Sequence, residues 1–195
     1  MTQPIDNFEP LRFYHPEALV KQSAAGIRLL LLDVDGVLTD GQLYFGEHGE
    51  FIKSFNTLDG QGIKSLQQQG IRVGIISGRK SAALTVRAQA LGITLMAQGR
   101  EDKMQALQEM LSDLPYQLHE IAYLGDDLPD LLVMRQIGLA VAVPDAHHEV
   151  HRFAHACTTR RGGQGAVRDL CDFLLICQQR YQAALSAYID EGSIR

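Results

Sequence analysis

The sequence predicts a doubly wound, Rossmann-like α/β fold with a parallel sheet flanked by helices. Three observations carry this. Short β-rich runs alternate with helical segments along the chain. Several of those runs are continuously apolar, as strands are when helices cover both faces of a sheet. Carboxylates cluster just beyond the ends of the runs, where doubly wound sheets gather their ligands. With 195 residues, 46% of them hydrophobic and 21% charged, residues 1–195 fit a single domain with a sizeable core.

Taken in order, residues 1–21 mix Asp, Glu, Pro and His without a basic start and an apolar stretch, so no secretory signal is expected. The first strand spans 27–33. Residues 42–55 then break the alternation as a β-hairpin, with Leu43, Tyr44 and Phe45 on one arm, Phe51, Ile52 and Phe55 on the other, and Gly46-Glu-His-Gly49 as the turn. A hairpin this apolar must pack on something. A neighbouring subunit and its own domain are both open at this point. Helices are predicted at 60–69, 81–91, 103–114, 128–137 and 166–189, and further strands at 71–77, 93–96, 121–125 and 139–143. The longest apolar runs, 29–32 and 137–143, fall far short of the roughly 20 residues a membrane helix requires, so no membrane contact is expected and the reading is cytoplasmic. The tail, 190–195, reads as mobile or docked on another chain.

A formal net charge of −5 argues against a broad nucleic-acid surface, which needs clustered Lys and Arg. Cys157, Cys171 and Cys177 are odd in number and lack CxxC spacing, which fits reduced thiols.

The first strand ends in Asp33-Val-Asp35-Gly36-Val37-Leu38-Thr39, the second in Ser77-Gly78-Arg79, and the fourth in Gly125-Asp126-Asp127 with Asp130 following; Lys103 opens the helix before that fourth strand. Converging carboxylates with one hydroxyl and one Lys suit a hard cation, because Mg²⁺ prefers oxygen ligands. Without it the carboxylates repel and hold protons. The cation also orients a phosphate oxygen against Asp33, a candidate nucleophile for an aspartyl-phosphate. Each residue alone has a plainer reading as a cap, a turn former or a solvated Lys. Their order, type and position after strands agree too well for coincidence.

These residues resemble the four motifs of the haloacid dehalogenase superfamily of phosphatases, in order from Asp33 to Asp130. The resemblance implies that Asp33 is the nucleophile. It makes Asp35 the acid that protonates the leaving alkoxide and then the base that activates water, with its backbone carbonyl on the metal. Asp33, Asp35 and Asp126 become the Mg²⁺ ligands, and Ser77 and Lys103 hold the transferring phosphoryl group, whose charge spreads over three oxygens. Only the hairpin and one helix separate Thr39 from Ser77, and only a helix and a strand separate Arg79 from Lys103, so no cap domain is expected. Among capless members the chain resembles most closely the 3-deoxy-D-manno-octulosonate 8-phosphate phosphatases of lipopolysaccharide biosynthesis, through Asn56-Thr-Leu-Asp-Gly60, Ser77-Gly-Arg79 and Arg161-Gly-Gly163-x-Gly-Ala-Val-Arg168. That likeness implies a homotetramer built through the hairpin. It also implies substrate contacts at Asp35, Asn56, Thr57, Leu58, Asp59, Gly60, Lys64, Gly78, Arg79, Arg87 and Lys103. A sugar acid needs cations for its carboxylate as well as its phosphate. A nonulosonate 9-phosphate phosphatase and a catalytically silent subunit of the same fold are the alternatives.

Gly163-Gln-Gly165-Ala-Val-Arg168 lacks the third glycine of a dinucleotide fingerprint and is read as a tight turn into the last helix. His147, His151 and His155 recur at helical spacing, and His148-Glu-Val-His151 is one residue short of a zinc motif; they are read as a polar helix face or subunit contacts.

Overall fold

Four consecutive leucines, Leu29–Leu32, form a strand with no solvent exposure on either side. Successive strand residues point to opposite faces, and here both faces find helices. The computed structural model describes residues 9–189. Its elements are β1 (Leu11–Phe13), α1 (Glu17–Ala25), β2 (Leu29–Leu32), β3 (Tyr44–Gly46), β4 (Gly49–Ile52), α2 (Thr57–Gln68), β5 (Arg72–Ser77), α3 (Ala82–Ala90) and β6 (Leu95–Gln98). They continue as α4 (Lys103–Leu111), β7 (Ile121–Gly125), α5 (Leu131–Met134), β8 (Leu139–Ala142), α6 (His148–Phe153), β9 (Ala156–Thr158), α7 (Ala166–Cys177) and α8 (Tyr181–Ile189).

The main sheet runs β1-β9-β8-β7-β2-β5-β6 and is parallel except for β1, which lies antiparallel on β9. Leu30 and Leu32 pack into a core with α1, α2, α3 and α7, through Val20, Ile63, Leu84 and Leu170. Leu29 and Leu31 face the opposite core with Leu107 of α4, Val133 of α5 and Val150 of α6. The chain leaves β2 toward β5 and β6, then returns to place β7 on the other side and continues outward to β8 and β9. That reversal opens a crevice at the carboxyl ends of β2, β5 and β7.

The predicted central strands and the hairpin are present, and β3 and β4 pair antiparallel outside the main sheet. Four features depart from the sequence reading. The segment 9–25 contributes an edge strand and a helix that were not expected, and β9 was also missed. The predicted helix 128–137 is a 3₁₀ turn, Leu128–Asp130, followed by the short α5. The predicted helix 166–189 is two helices. Gln179 adopts φ 57, Arg180 N donates to Leu175 O and Gln179 N to Ile176 O, the paired bonds of a Schellman ending. Gln178 Nε2 reinforces the break by donating to Ala24 O and Ile27 O. The expected tail at 190–195 lies outside the described residues. Among those described, no helix is long and apolar enough to cross a membrane.

Candidate active site

The crevice at the strand ends has a volume of about 200 Å³ and is lined by Asp33, Asp35, Ser77, Gly78, Arg79, Glu101, Lys103, Asp126, Asp127 and Pro129. Seven of the sequence-predicted residues therefore meet in one place, carried by three neighbouring strand ends and the start of α4.

Lys103 forms the floor. Its side chain is 4% exposed, and Nζ lies 2.8 Å from Asp33 Oδ1 and 2.6 Å from Asp130 Oδ1. Tyr123 donates its hydroxyl to the same Asp130 oxygen at 2.6 Å, and Asp130 Oδ2 accepts the backbone N–H groups of Asp126 and Asp127. Both Asp130 oxygens are thus occupied, and the residue braces Lys103 and the loop after β7 together. Burial works against the charge on Lys103, but Asp33 and Asp130 outweigh it and raise its pKa.

One carboxylate oxygen from each of Asp33, Asp126 and Asp130 lies within a span of 4.8 Å. Burial, then the neighbouring carboxylates, push the pKa of Asp33 and Asp126 upward; on Asp33, Lys103 opposes the rise. Asp126 Oδ1 is buried with no hydrogen-bond partner. Buried polar atoms are normally paired, so an orphaned carboxylate oxygen beside a second buried carboxylate fits a hard cation. Asp33 and Asp126 are the side chains able to hold it.

The loop after β2 is set by Thr39, whose hydroxyl accepts from Gly36 N and Gly41 N and donates to Val34 O. Gly36 has φ +93, and a Cβ there would come within 2.1 Å of Asp126 Oδ2. Only glycine lets the two motifs approach this closely. From the other side, Gly163 N donates to Val37 O, and a Cβ on Gly162 would meet Gly36 O at 1.8 Å. The glycine-rich segment turns into α7 through Gly165, φ +108, as its reading as a tight turn anticipates.

The Asp35 carboxylate meets two cations. Lys53 Nζ contacts Asp35 Oδ1, and Arg79 Nε lies 3.7 Å from Oδ2. Arg79 also stacks over the Phe45 ring of the hairpin, 5.3 Å from its centroid. Ser77 is buried, with Oγ accepting from Arg79 N.

The other predicted substrate contacts lie outside this crevice. Asn56 caps α2 by accepting from Leu58 N, and donates to Gly163 O. Thr57, Leu58 and Lys64 are exposed on α2. Asp59 is 1% exposed because α7 lies over α2; it accepts from Arg168 N, and burial raises its pKa to about 6 against the pull of that bond. Arg87 is half-buried, donates to Asn56 O and covers Gly60, where a Cβ would meet its guanidinium at 2.2 Å. The histidines are similarly absorbed: His147 caps α6, His151 pairs with the Tyr14 hydroxyl and His155 accepts from Ala140 N. The three cysteines are free thiols, two of them buried.

Sequence reasoning missed Lys53 and Tyr123. A lone tyrosine in the apolar run Ile121–Gly125 was a usable signal, since a buried Tyr hydroxyl needs a partner. Lys53 gave less warning, because a single lysine in a hairpin arm is ordinary.

A haloacid dehalogenase-like hydrolase profile matches residues 93–168. The 3-deoxy-D-manno-octulosonate 8-phosphate phosphatase of Yersinia pestis is 49% identical over 165 residues, covering 85% of this chain and 88% of that protein. A probable phosphatase from Pseudomonas syringae superimposes with a TM-score of 0.86 at 49% identity, over 89% of this chain and 98% of that one. The Moraxella catarrhalis 3-deoxy-D-manno-octulosonate 8-phosphate phosphatase, solved with magnesium, phosphate and the sugar acid, gives a TM-score of 0.86 at 38% identity, over 89% and 99% of the two chains. With this identity across most of both chains, on top of the converging strand-end motifs, the protein belongs to the 3-deoxy-D-manno-octulosonate 8-phosphate phosphatase family of haloacid dehalogenase-like hydrolases.

Proposed function

We propose that this protein is a Mg²⁺-dependent phosphomonoesterase that converts 3-deoxy-D-manno-octulosonate 8-phosphate to the free sugar acid and phosphate. The observation that carries the reading is the buried Asp33, held 2.8 Å from Lys103 and beside the orphaned Asp126 oxygen. When bound, Mg²⁺ supplies positive charge that neutralises Asp33, Asp126 and the phosphoryl oxygens. Asp33 attacks phosphorus as the bond to the sugar oxygen breaks, giving an aspartyl-phosphate. Asp35 delivers a proton to the leaving sugar oxygen and later takes one from the water that cleaves the intermediate. Lys103 and the Ser77 hydroxyl meet the charge spread over the phosphoryl oxygens. Arg79 supplies a cation for the substrate at the crevice mouth.

The reading extends to assembly. Phe51 is 81% exposed, and Leu43, Tyr44, Phe45 and Ile52 are exposed beside it. So many apolar side chains on one hairpin favour burial between copies, and a homotetramer through residues 42–55 is the assembly we propose. In that assembly Asn56, Thr57, Leu58 and Lys64, with Arg87, border a substrate route rather than the metal, and the buried Asp59 and Gly60 support them from beneath. We also propose one domain across 1–195, acting in the cytoplasm.

The test is phosphate release from a panel of sugar phosphates, with and without Mg²⁺, by wild type and Asp33→Asn. Metal-dependent turnover of 3-deoxy-D-manno-octulosonate 8-phosphate, lost in the variant while fold and assembly persist, is the expected result. Preference for a nonulosonate 9-phosphate would replace the substrate. Turnover by the variant would remove the nucleophile assignment, and no turnover by either would point to a silent subunit.

A further inference from the structure

Lys53 sits at the end of the hairpin's second arm, yet its side chain is only 2% exposed. Lysine is almost never buried to this degree without a partner. Its partners are Asp35, in direct contact, and Glu50 Oε2 at 3.3 Å. Glu50 is anchored in turn by the Ser81 hydroxyl, which donates to it, while Ser81 Oγ accepts Leu84 N at the start of α3. Burial pushes the Glu50 pKa up, but the bonds from Ser81 and Lys53 prevail and lower it. A chain of polar contacts therefore runs from the main body at α3, through Glu50 and Lys53 on the hairpin, to Asp35 in the crevice.

We propose that Lys53 is a positioning residue for Asp35, a conclusion that rests on the reading of Asp35 as the proton donor. Holding Oδ1 on the hairpin side fixes the carboxylate with Oδ2 toward Arg79 and the crevice. Lys53 does not line the crevice itself, so its influence passes through Asp35. A carboxylate that must reach one substrate oxygen loses efficiency when it can rotate, because proton transfer demands hydrogen-bond reach. The hairpin thus carries a side chain that completes the acid–base half of the site.

The leaving group separates positioning from mere structure. A sugar alkoxide needs a proton as it departs, whereas an aryl oxide with a good leaving group needs far less. We would measure kcat/KM, which reports the step that expels the leaving group, on 3-deoxy-D-manno-octulosonate 8-phosphate and on p-nitrophenyl phosphate, for wild type, Asp35→Asn, Lys53→Met and Lys53→Arg. Asp35→Asn is expected to lower the sugar phosphate value by about 100-fold or more and the aryl value far less. Lys53→Met is expected to follow with a loss of about tenfold or more on the sugar phosphate and little on the aryl phosphate, and Lys53→Arg to recover part of it. Equal losses on both substrates in Lys53→Met would overturn the proposal. If circular dichroism shows that Lys53→Met does not fold, Lys53→Arg carries the same comparison, and equal losses there overturn it as well. No split in Asp35→Asn would instead remove the proton-donor reading and the proposal with it.

Discussion

Lys103 Nζ lies 2.6 Å from Asp130 Oδ1, and that carboxylate has no exposure to solvent. Asp130 also receives the Tyr123 hydroxyl and two backbone N–H groups, so it organises the floor of the site without lining the crevice. Replacing it with Ala removes one of the two carboxylates that hold the buried Lys103, leaving Asp33, and takes away the acceptor of the buried Tyr123 hydroxyl. Asp130→Ala is expected to cost about 3–5 kcal/mol of stability and to abolish activity, with Asp130→Asn milder in stability. Urea denaturation followed by circular dichroism checks the first effect, and phosphate release the second.

The carboxylates that repel one another in the metal-free site make its stability depend on pH. Burial and neighbouring charge raise the pKa of Asp33 and Asp126, so their contribution is fully present below the unfolded carboxylate range and is lost as pH rises through the raised values. Mg²⁺ replaces the protons and removes the repulsion. The rise in melting temperature on adding Mg²⁺ is therefore expected to be larger at pH 8 than at pH 5, and a chelator to reverse it. A thermal-shift series across that range would show a flat Mg²⁺ effect if the cluster does not hold the ion.

Hairpin burial predicts a change of mass without a change of fold. Phe51→Asp places a charge on the most exposed aromatic of the apolar surface and is expected to yield smaller species in light scattering, with the circular dichroism spectrum preserved. An unchanged mass would argue that residues 42–55 are not the interface.

Gly162 offers the sharpest steric test. A methyl there would collide with Gly36 O at 1.8 Å, a backbone atom that can yield only by moving the loop carrying Asp35. Gly162→Ala is expected to lose about 1–3 kcal/mol of stability and a larger share of its turnover, read by melting temperature and phosphate release together.

The legible parts of this protein are those with local signals. Leu29–Leu32 reads as a buried strand because every position is apolar, and Asp33 with Asp35 reads as a site because carboxylates follow it directly. β1 was not legible, since Leu11-Arg-Phe13 is too short for a period and its pairing partner is Thr158. The break between α7 and α8 was hidden because a glutamine, rather than glycine, takes the left-handed turn. The burial of Asp59 was not legible either, because the helix that covers it, α7, lies 109 residues on at Arg168. Lys53 belongs with these, since its burial depends on how the hairpin folds back, which no run of neighbouring residues encodes.

The pairing of Leu11 with Thr158, and the seating of Gly162 against Gly36, have a consequence for how the protein comes into being. As the chain leaves the ribosome, β1 has no partner until Thr158 has been translated, and the nucleophile loop has no brace until Gly162 follows. Such sequence-distant contacts slow folding. They also mean that a nascent chain can display both motif aspartates and still lack the brace that shapes their loop, so the chemistry waits for the glycine-rich segment 161–165.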